Sequence, residues 1–508
     1  MPTPLRPTRP RLADETGQMR TLHTGPEAFA VLGDGPEPVF LGLGPDPATA
    51  AGLVPAGTPA VYLECPDFAA AMPVSWGAAI PAHLRPIGLE ALSPERIARS
   101  RFFLYRQNPR LFPSFWSRVL ARIRLAGLPT PRANGRGPGP VLLARPRAGL
   151  LEPELARALD ALGLTVVDFP AEEPLAALTT ILSASIPSLL LCVNGAGLDA
   201  DGLLFALLAE AGVPVAAWCV DNPFHILSRF RAPFWKKLHL FVTDDWFVTR
   251  LRELGAVCAH HLPLAASRHF FAAAPAPGLA EQAVFVGRSA FPDRDGFFAG
   301  CQPAEADLAT ARALLAGGQR PDFAWWLDRL GIRQPPWPGK AARLAGGGAE
   351  AAGLAWRKAC LGAVAKAMPL AVYGDAGWRK LVADAALHGP VDYYGALAGL
   401  YAGAAVTLNL TSLLLPHGLT QRHFDVWAAG GCLVTDATPG LALFPEELTR
   451  PIVFDRPEDA GRLAKALAGD AARRAGLAAG WREELAARHT YEKRLTRLLE
   501  VVSEAGRP

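Results

Sequence analysis

Cysteine is scarce in this chain. There are seven in 508 residues, and no pair has the short spacing of a zinc knuckle or a redox motif. Cys192, Cys219 and Cys432 sit in apolar runs, which reads as free buried thiols in a reducing compartment and excludes a disulfide scaffold. Charge of one sign is also missing. With 51 Lys+Arg against 47 Asp+Glu the formal net charge is +4, too small at this length to mark nucleic acid as the main ligand. No run of about 18 uninterrupted apolar residues occurs, so no integral membrane segment is expected. Met1 to Gly35 is rich in Pro and Arg and lacks the apolar stretch of a signal peptide. His260-His261 has no acidic or Cys partner at ligand spacing, so no metal is expected there. A cytoplasmic protein is expected.

What is present is apolar residue, 50% of the chain, ample for several buried cores. The recurring pattern is a short apolar run ending in Gly, Asp or Asn, followed by an Ala/Leu/Arg-rich segment of helical period. That alternation predicts α/β architecture with parallel sheets covered on both faces. Pro38–Gly44 and Ala60–Glu64 read as strands, and Arg101–Leu125 as an aromatic, basic helical stretch. Gly and Pro crowd Ala133–Pro140, a linker. Strands follow at Val141–Ala144, Thr165–Phe169, Ser188–Asn194, Val215–Asp221 and Leu238–Thr243. After a second linker, Ala272–Gly278, strands recur at Ala283–Gly287, Leu370–Gly374, Val406–Leu410, Cys432–Asp436 and Pro451–Phe454. Residues 304–365 read as a helical insertion interrupted by Pro335-Pro336 and Gly346-Gly347-Gly348, and Pro457–Val502 as a charged helical tail. Two similar sheets joined by a linker imply a cleft between them, with ligands beyond the carboxyl ends of the strands.

Several residues carry chemistry suited to such a cleft. Arg422 and Asp425 stand three apart on a short helix, so both can address one ligand. Arg suits a diphosphate and a carboxylate suits two sugar hydroxyls. Gly418 just before lets backbone approach a phosphate, with His417 beside it. Gly287-Arg288-Ser289 puts a cation and a hydroxyl directly after a buried strand. Asp221, before Asn222-Pro223, either ends a strand or faces the cleft, where it is a candidate general base. Asp244 and Asp245 suit helix N-caps. Asp199-Ala200-Asp201 and Asp293-Arg294-Asp295 read as caps or loops rather than a cation site. His489 and Tyr491 read as packing residues. Gly42-Leu43-Gly44 lacks the third glycine of a dinucleotide loop, which argues against an oxidoreductase.

From Val141 to the C-terminus an ordered series of segments resembles the CgeB-type, spore-maturation-protein-like glycosyltransferases of the GT-B superfamily. The series includes Arg422-x-Phe424-Asp425 followed by Ala428-x-Gly430-Gly431 and Leu433-Val434-Thr435-Asp436. Val284–Arg288, Val372-Tyr373-Gly374 with Trp378, Tyr401 with Leu408-Asn409-Leu410, and His489–Arg494 continue it. Val193-Asn194-Gly195, Trp218–Pro223, Val242–Asp245 and Leu262–Ala265 match on the acceptor side. Asp425 departs from the family's common Glu, with a shorter reach.

The resemblance implies two Rossmann-like domains facing a cleft, the GT-B fold, plus an extra N-terminal α/β region. The expected units are residues 1–132, an accessory region, 138–272, the acceptor-side domain, 280–456, the donor domain with an insertion at about 303–366, and 457–508. It implies transfer of a sugar from a nucleoside-diphosphate sugar, used as a substrate with no further cofactor, to an unidentified acceptor hydroxyl, be it glycan, protein or small molecule. Arg288, Arg422 and Asp221 are expected as catalytic residues. Gly287, Ser289, Tyr373, Gly374, Asn409, His417, Gly418, Arg422 and Asp425 are expected to bind the donor without a metal. Asn194, Gly195, Asp221 and Asn222 are expected on the acceptor side. The alternatives are a degenerate sugar- or nucleotide-binding scaffold and a nucleotide-sugar epimerase of the same fold.

Overall fold

The structure, a computed structural model, describes residues 10–129, 139–147, 149–333 and 339–505. Most of the first expected linker, and Pro335-Pro336, lie outside them. A two-stranded ribbon, β1 (Arg11–Ala13) and β2 (Met19–Thr21), precedes the first sheet. That sheet holds β3 (Phe29–Leu32), β4 (Glu37–Leu41), β5 (Ala60–Leu63), β6 (Leu84–Pro86) and β7 (Ser100–Tyr105) in the order β3-β7-β4-β5-β6. It is parallel except for β3, which runs antiparallel to β7. Its core is separate from the rest of the chain and centres on Phe40, Phe68, Tyr105 and Trp116.

Here the sequence expectation fails in part. Ser100–Tyr105 is a strand, not helix, because Phe102, Phe103 and Tyr105 are buried between β3 and β4. Helix begins later, at Asn108–Leu111 and Pro113–Ala126. The aromatic and Arg content masked the change of period.

The second sheet is wholly parallel: β8 (Val141–Arg145), β9 (Val166–Pro170), β10 (Leu189–Val193), β11 (Val215–Cys219), β12 (His239–Val242) and β13 (Cys258–His261), ordered β13-β12-β11-β10-β8-β9. The third is β14 (Ala283–Val286), β15 (Leu370–Tyr373), β16 (Ala386–His388), β17 (Val406–Asn409), β18 (Leu433–Asp436) and β19 (Val453–Phe454), ordered β16-β15-β14-β17-β18-β19, also parallel. Counted from its own first strand this last order is the doubly wound Rossmann arrangement, and the second sheet has the related flavodoxin-like order. The fold is therefore two Rossmann-like sheets preceded by a third α/β unit. One continuous apolar core runs through both later sheets. Strands β8, β10 and β11 are buried almost end to end, as parallel strands covered on both faces must be.

One further segment departs from expectation. Gly346-Gly347-Gly348 does not interrupt a helix but lies inside one, Lys340–Ala367. A Cβ at 346 would strike the His225 ring, one at 347 the Cys301 carbonyl, and one at 348 the Trp326 indole. Each glycine costs a helix about 1 kcal/mol relative to Ala, and here the close packing leaves room for nothing larger.

The C-terminal segment is helical, as expected. Helices Pro457–Ala468, Ala471–Arg488 and Tyr491–Ala505 follow β19. The last returns to the second sheet, burying Tyr491, Leu495, Leu498, Val501 and Val502. Arg494 Nε donates to Pro263 O (2.9 Å), and Ala266 N to His489 O (2.8 Å). Trp427 and Trp481 stack at 5.1 Å and 4°, fastening helix Arg422–Ala428 to Ala471–Arg488.

Candidate functional site

In a doubly wound sheet, loops on either side of the first strand leave in opposite directions and open a crevice at the carboxyl edge. In the third sheet that point lies between β14 and β17. Arg422, the first residue of its helix, reaches into it. Its Nη1 donates to Val286 O at the end of β14 (2.7 Å), and its Nε donates to Asn409 Oδ1 at the end of β17 (2.8 Å). The guanidinium lies 5.5 Å over the Phe285 ring. Among the described residues Nη2 has no hydrogen-bond partner and no carboxylate forms an ion pair with Arg422. Burial lowers the pKa of Arg422, and the charge of Arg357 adds to that. Arg357, on the long helix Lys340–Ala367, donates from Nη1 to Arg288 O (3.1 Å) and from Nη2 to Glu350 Oε1 (2.9 Å). The Arg288 side chain is exposed. Arg422 and Arg357 thus bond backbone carbonyls at and just beyond the end of β14.

The turn after β14 is built by close approach. Trp378 Nε1 donates to Gly287 O (2.8 Å) and Gly287 N to Tyr373 O (3.0 Å). A Cβ on Gly374 would lie far inside van der Waals contact distance of that same Gly287 oxygen. Gly374→Ala is accordingly expected to destabilise the protein by about 1–3 kcal/mol, measured as a lowered urea midpoint, whereas Gly389→Ala, in open space, should be silent. Ser289 is spoken for: its N (2.7 Å) and Oγ (2.5 Å) both donate to Asp375. Burial favours the protonated form of Asp375, but the bonds from Ser289 and Gly377 outweigh it and hold the carboxyl below its ordinary range. Ser289 therefore ties two loops together and offers no hydroxyl to a diphosphate. Tyr373 stacks on His388, 4.5 Å apart at 16°, at the carboxyl ends of β15 and β16.

Asn409 and Asp425 do not line open space. Asn409 is 0% exposed and its Oδ1 accepts from both Thr420 Oγ1 (2.7 Å) and Arg422 Nε. Asp425 is 1% exposed. Its oxygens accept from Tyr393 OH (2.8 Å) and Gln421 Nε2 (2.9 Å). Gln421 also donates to Ala265 O (2.8 Å) and accepts from Tyr491 OH (3.3 Å), so this carboxyl sits where the two sheets and the last helix meet. Burial pushes it up to about 8, with the charge of Glu154 acting in the same direction. The Gly418 amide is taken by Leu415 O (3.4 Å) and its carbonyl accepts from Thr438 Oγ1 (3.2 Å), so both backbone groups of Gly418 already have partners.

The loop after β17 instead clasps the second sheet. His417 N donates to Asp244 Oδ2 (2.9 Å) and its Nδ1 lies 2.8 Å from Asp245 Oδ1. Asp244 also accepts from Trp246 N (2.9 Å), a local capping bond, and burial raises it to about 6. Ligand atoms of Asp244, Asp245 and His417 lie within 4.8 Å of one another, a spacing their hydrogen bonds account for. Asn222 caps helix Pro223–Leu227 and donates from Nδ2 to Leu414 O (2.9 Å), so it bridges the sheets rather than facing a substrate. The carboxyl edges of the two sheets therefore meet.

On the acceptor side, Asn194 holds a left-handed backbone (φ 51°) and shapes the end of β10. Its Oδ1 accepts from Val220 N (2.9 Å) and its Nδ2 donates to Asp221 Oδ2 (2.7 Å). Asp221 keeps solvent contact at the end of β11. Surrounding protein raises its pKa, and the Asn194 bond opposes the rise. Arg229 Nη2 donates to the carbonyls of Asn194 and Gly195, both at 2.6 Å. Sequence reasoning missed Arg229, Arg357 and His388, which have no motif. The one available signal was the Glu350–Arg357 spacing, two turns apart on one helix.

Residues 357–500 match the model of a family described as Glycosyl transferase-like. The matched segment holds Arg357, Tyr373, Asn409, His417, Arg422 and Asp425 and none of the second sheet. No curated protein matches the chain. Among solved structures, Anabaena HepE in complex with UDP-glucose is 11% identical with a TM-score of 0.40, over 72% of this chain and 99% of that one. T4 phage BGT in complex with its UDP-glucose substrate is 9% identical at 0.41, over 73% and 98%. The spinosyn rhamnosyltransferase SpnG complexed with thymidine diphosphate is 13% identical at 0.31, over 71% and 100%. The overlaps are loose, and the fold rests on the strand orders above. The chain carries a glycosyl transferase-like segment on the later of two Rossmann-like sheets. Among the described residues no helix is long and apolar enough to cross a membrane.

Proposed function

We propose that this chain is a GT-B glycosyltransferase of the CgeB type, moving a sugar from a nucleoside-diphosphate sugar to an acceptor hydroxyl without a metal ion. One observation carries the reading: Arg422 stands at the switch point between β14 and β17 with a guanidinium nitrogen unengaged among the described residues, near Arg357 and inside the matched segment. The acceptor oxygen attacks the anomeric carbon while the bond from that carbon to the diphosphate breaks, and the diphosphate leaves with the electron pair. Guanidinium groups placed before the reaction stabilise that growing charge. The acceptor proton passes to Asp221, whose raised pKa suits a general base. Tyr373 and His388 offer the base a stacked pair of rings. Asp425, expected at the ribose, is instead assigned to holding the two sheets together.

The burial of Asp425 favours one second reading, a nucleotide-binding scaffold without turnover. The two part on whether nucleoside diphosphate is released in an acceptor-dependent way. The first test is a thermal-shift panel of nucleoside diphosphates and their sugars. A cognate ligand at about 100 times its Kd stabilises by about 2.7 kcal/mol, a shift of several degrees. No shift with any nucleotide contradicts both readings.

A further inference from the structure

We infer that His423 is a positioning residue that aims Arg422 by fixing the orientation of Asn409 through Thr435. The inference deepens the diphosphate reading of the switch-point crevice and rests on it. His423 is 0% exposed. Its Nδ1 lies 3.0 Å from Thr420 N. A backbone amide only donates, so Nδ1 is the acceptor and the ring proton sits on Nε2. Thr420 O is farther, at 3.3 Å, and using it would set Nδ1–H against the Thr420 N–H.

The proton on Nε2 then sets which way the Thr435 hydroxyl points. Nε2 donates to Thr435 Oγ1 (3.1 Å), and Thr435 Oγ1 donates to Asp436 O (3.2 Å). Thr435 Oγ1 has a lone pair left, which accepts from Asn409 Nδ2 (3.0 Å). Asn409 Nδ2 also faces Thr411 Oγ1 (3.3 Å), itself committed as donor to Asp436 Oδ1 (2.9 Å), and lies 3.4 Å from His423 Nε2, a contact between two donors in this tautomer. Both amide protons of Asn409 therefore point into the core, and its Oδ1 must face Thr420 Oγ1 and Arg422 Nε. A flipped amide sets a donor against the guanidinium, and Arg422 loses the contact at β17. Burial drives the His423 pKa down to about 3, so the ring stays neutral across the physiological range.

The test uses full-length protein with selectively labelled histidine and arginine, and UDP as probe. His423 should show the neutral Nε2–H tautomer at pH 7. Thr435→Val removes one hydroxyl and is expected to weaken UDP about tenfold, the weight of one charge-assisted hydrogen bond, and to expose the Arg422 Nε–H to faster solvent exchange. His423→Phe should give the same two changes. A role confined to packing lowers the melting temperature and leaves UDP affinity and Arg422 exchange at wild-type values, which overturns the inference; so does an Nδ1–H tautomer. If wild type fails to bind any nucleoside diphosphate, the diphosphate reading falls, while the tautomer and the Arg422 exchange rate still decide the positioning.

Discussion

Arg422→Ala is expected to weaken nucleoside diphosphate binding by about 100-fold and to erase the thermal shift that the ligand gives wild type. Charge-assisted hydrogen bonds contribute about 1.5–3 kcal/mol each, and a buried guanidinium facing a diphosphate makes one or two. The variant should fold, because Asn409 Oδ1 keeps the bond from Thr420 Oγ1 and Val286 O loses only one donor. Arg422→Lys should recover little. A single ammonium cannot span Val286 O and Asn409 and still present a donor to the ligand. Calorimetric titration reads both variants, and equal affinity for wild type and Arg422→Ala removes the crevice from the account.

The second large effect concerns pH. Asp425 titrates near 8 in the folded protein against an ordinary 3.8. Between those values the folded state holds a proton that the unfolded state has released. The unfolded state then binds fewer protons, so stability falls as pH rises. The contribution is fully present below about 4 and is lost as pH climbs through about 8. Asp425→Asn keeps an acceptor for Gln421 and cannot ionise. It should therefore stabilise the protein by a few kcal/mol at pH 8, from a shift of this size, and by much less at pH 5. Asp425→Ala strands the Tyr393 hydroxyl and the Gln421 amide and should destabilise at every pH. Thermal melts from pH 5 to 9 separate the three proteins, and parallel curves for wild type and Asp425→Asn contradict the assignment.

The later sheets were legible because each core strand is a short apolar run ended by a polar residue or glycine, as at Ser188–Asn194 and Cys432–Asp436. What misled was composition without period. The aromatic, basic run at Ser100–Tyr105 became an interior strand, and the glycine triplet became the close-packed face of a helix. Short edge strands such as β16 carry too few residues to show a period.

Within the site, the turns at Gly287 and Gly374 were readable because each glycine directly follows a buried strand, and Arg422 because it opens a short apolar helix. The fates of Asn409 and Asp425 were not readable. Asn409 is consumed by Thr420, Arg422 and Thr435, and Asp425 by Tyr393 and by Gln421, which is itself anchored to Ala265 and Tyr491. Those partners come together only when both sheets and the returning helix have packed. The same holds for His417, which local sequence places beside a glycine and tertiary packing places on Asp244 and Asp245.

The most direct measurement is a crystal structure of the protein soaked with a nucleoside diphosphate. The account predicts phosphate density at the carboxyl ends of β14 and β17, within hydrogen-bonding distance of Arg422 Nη2. Phosphates bound elsewhere, for instance at the Gly42–Gly44 turn of the first sheet, with Arg422 untouched, would contradict it.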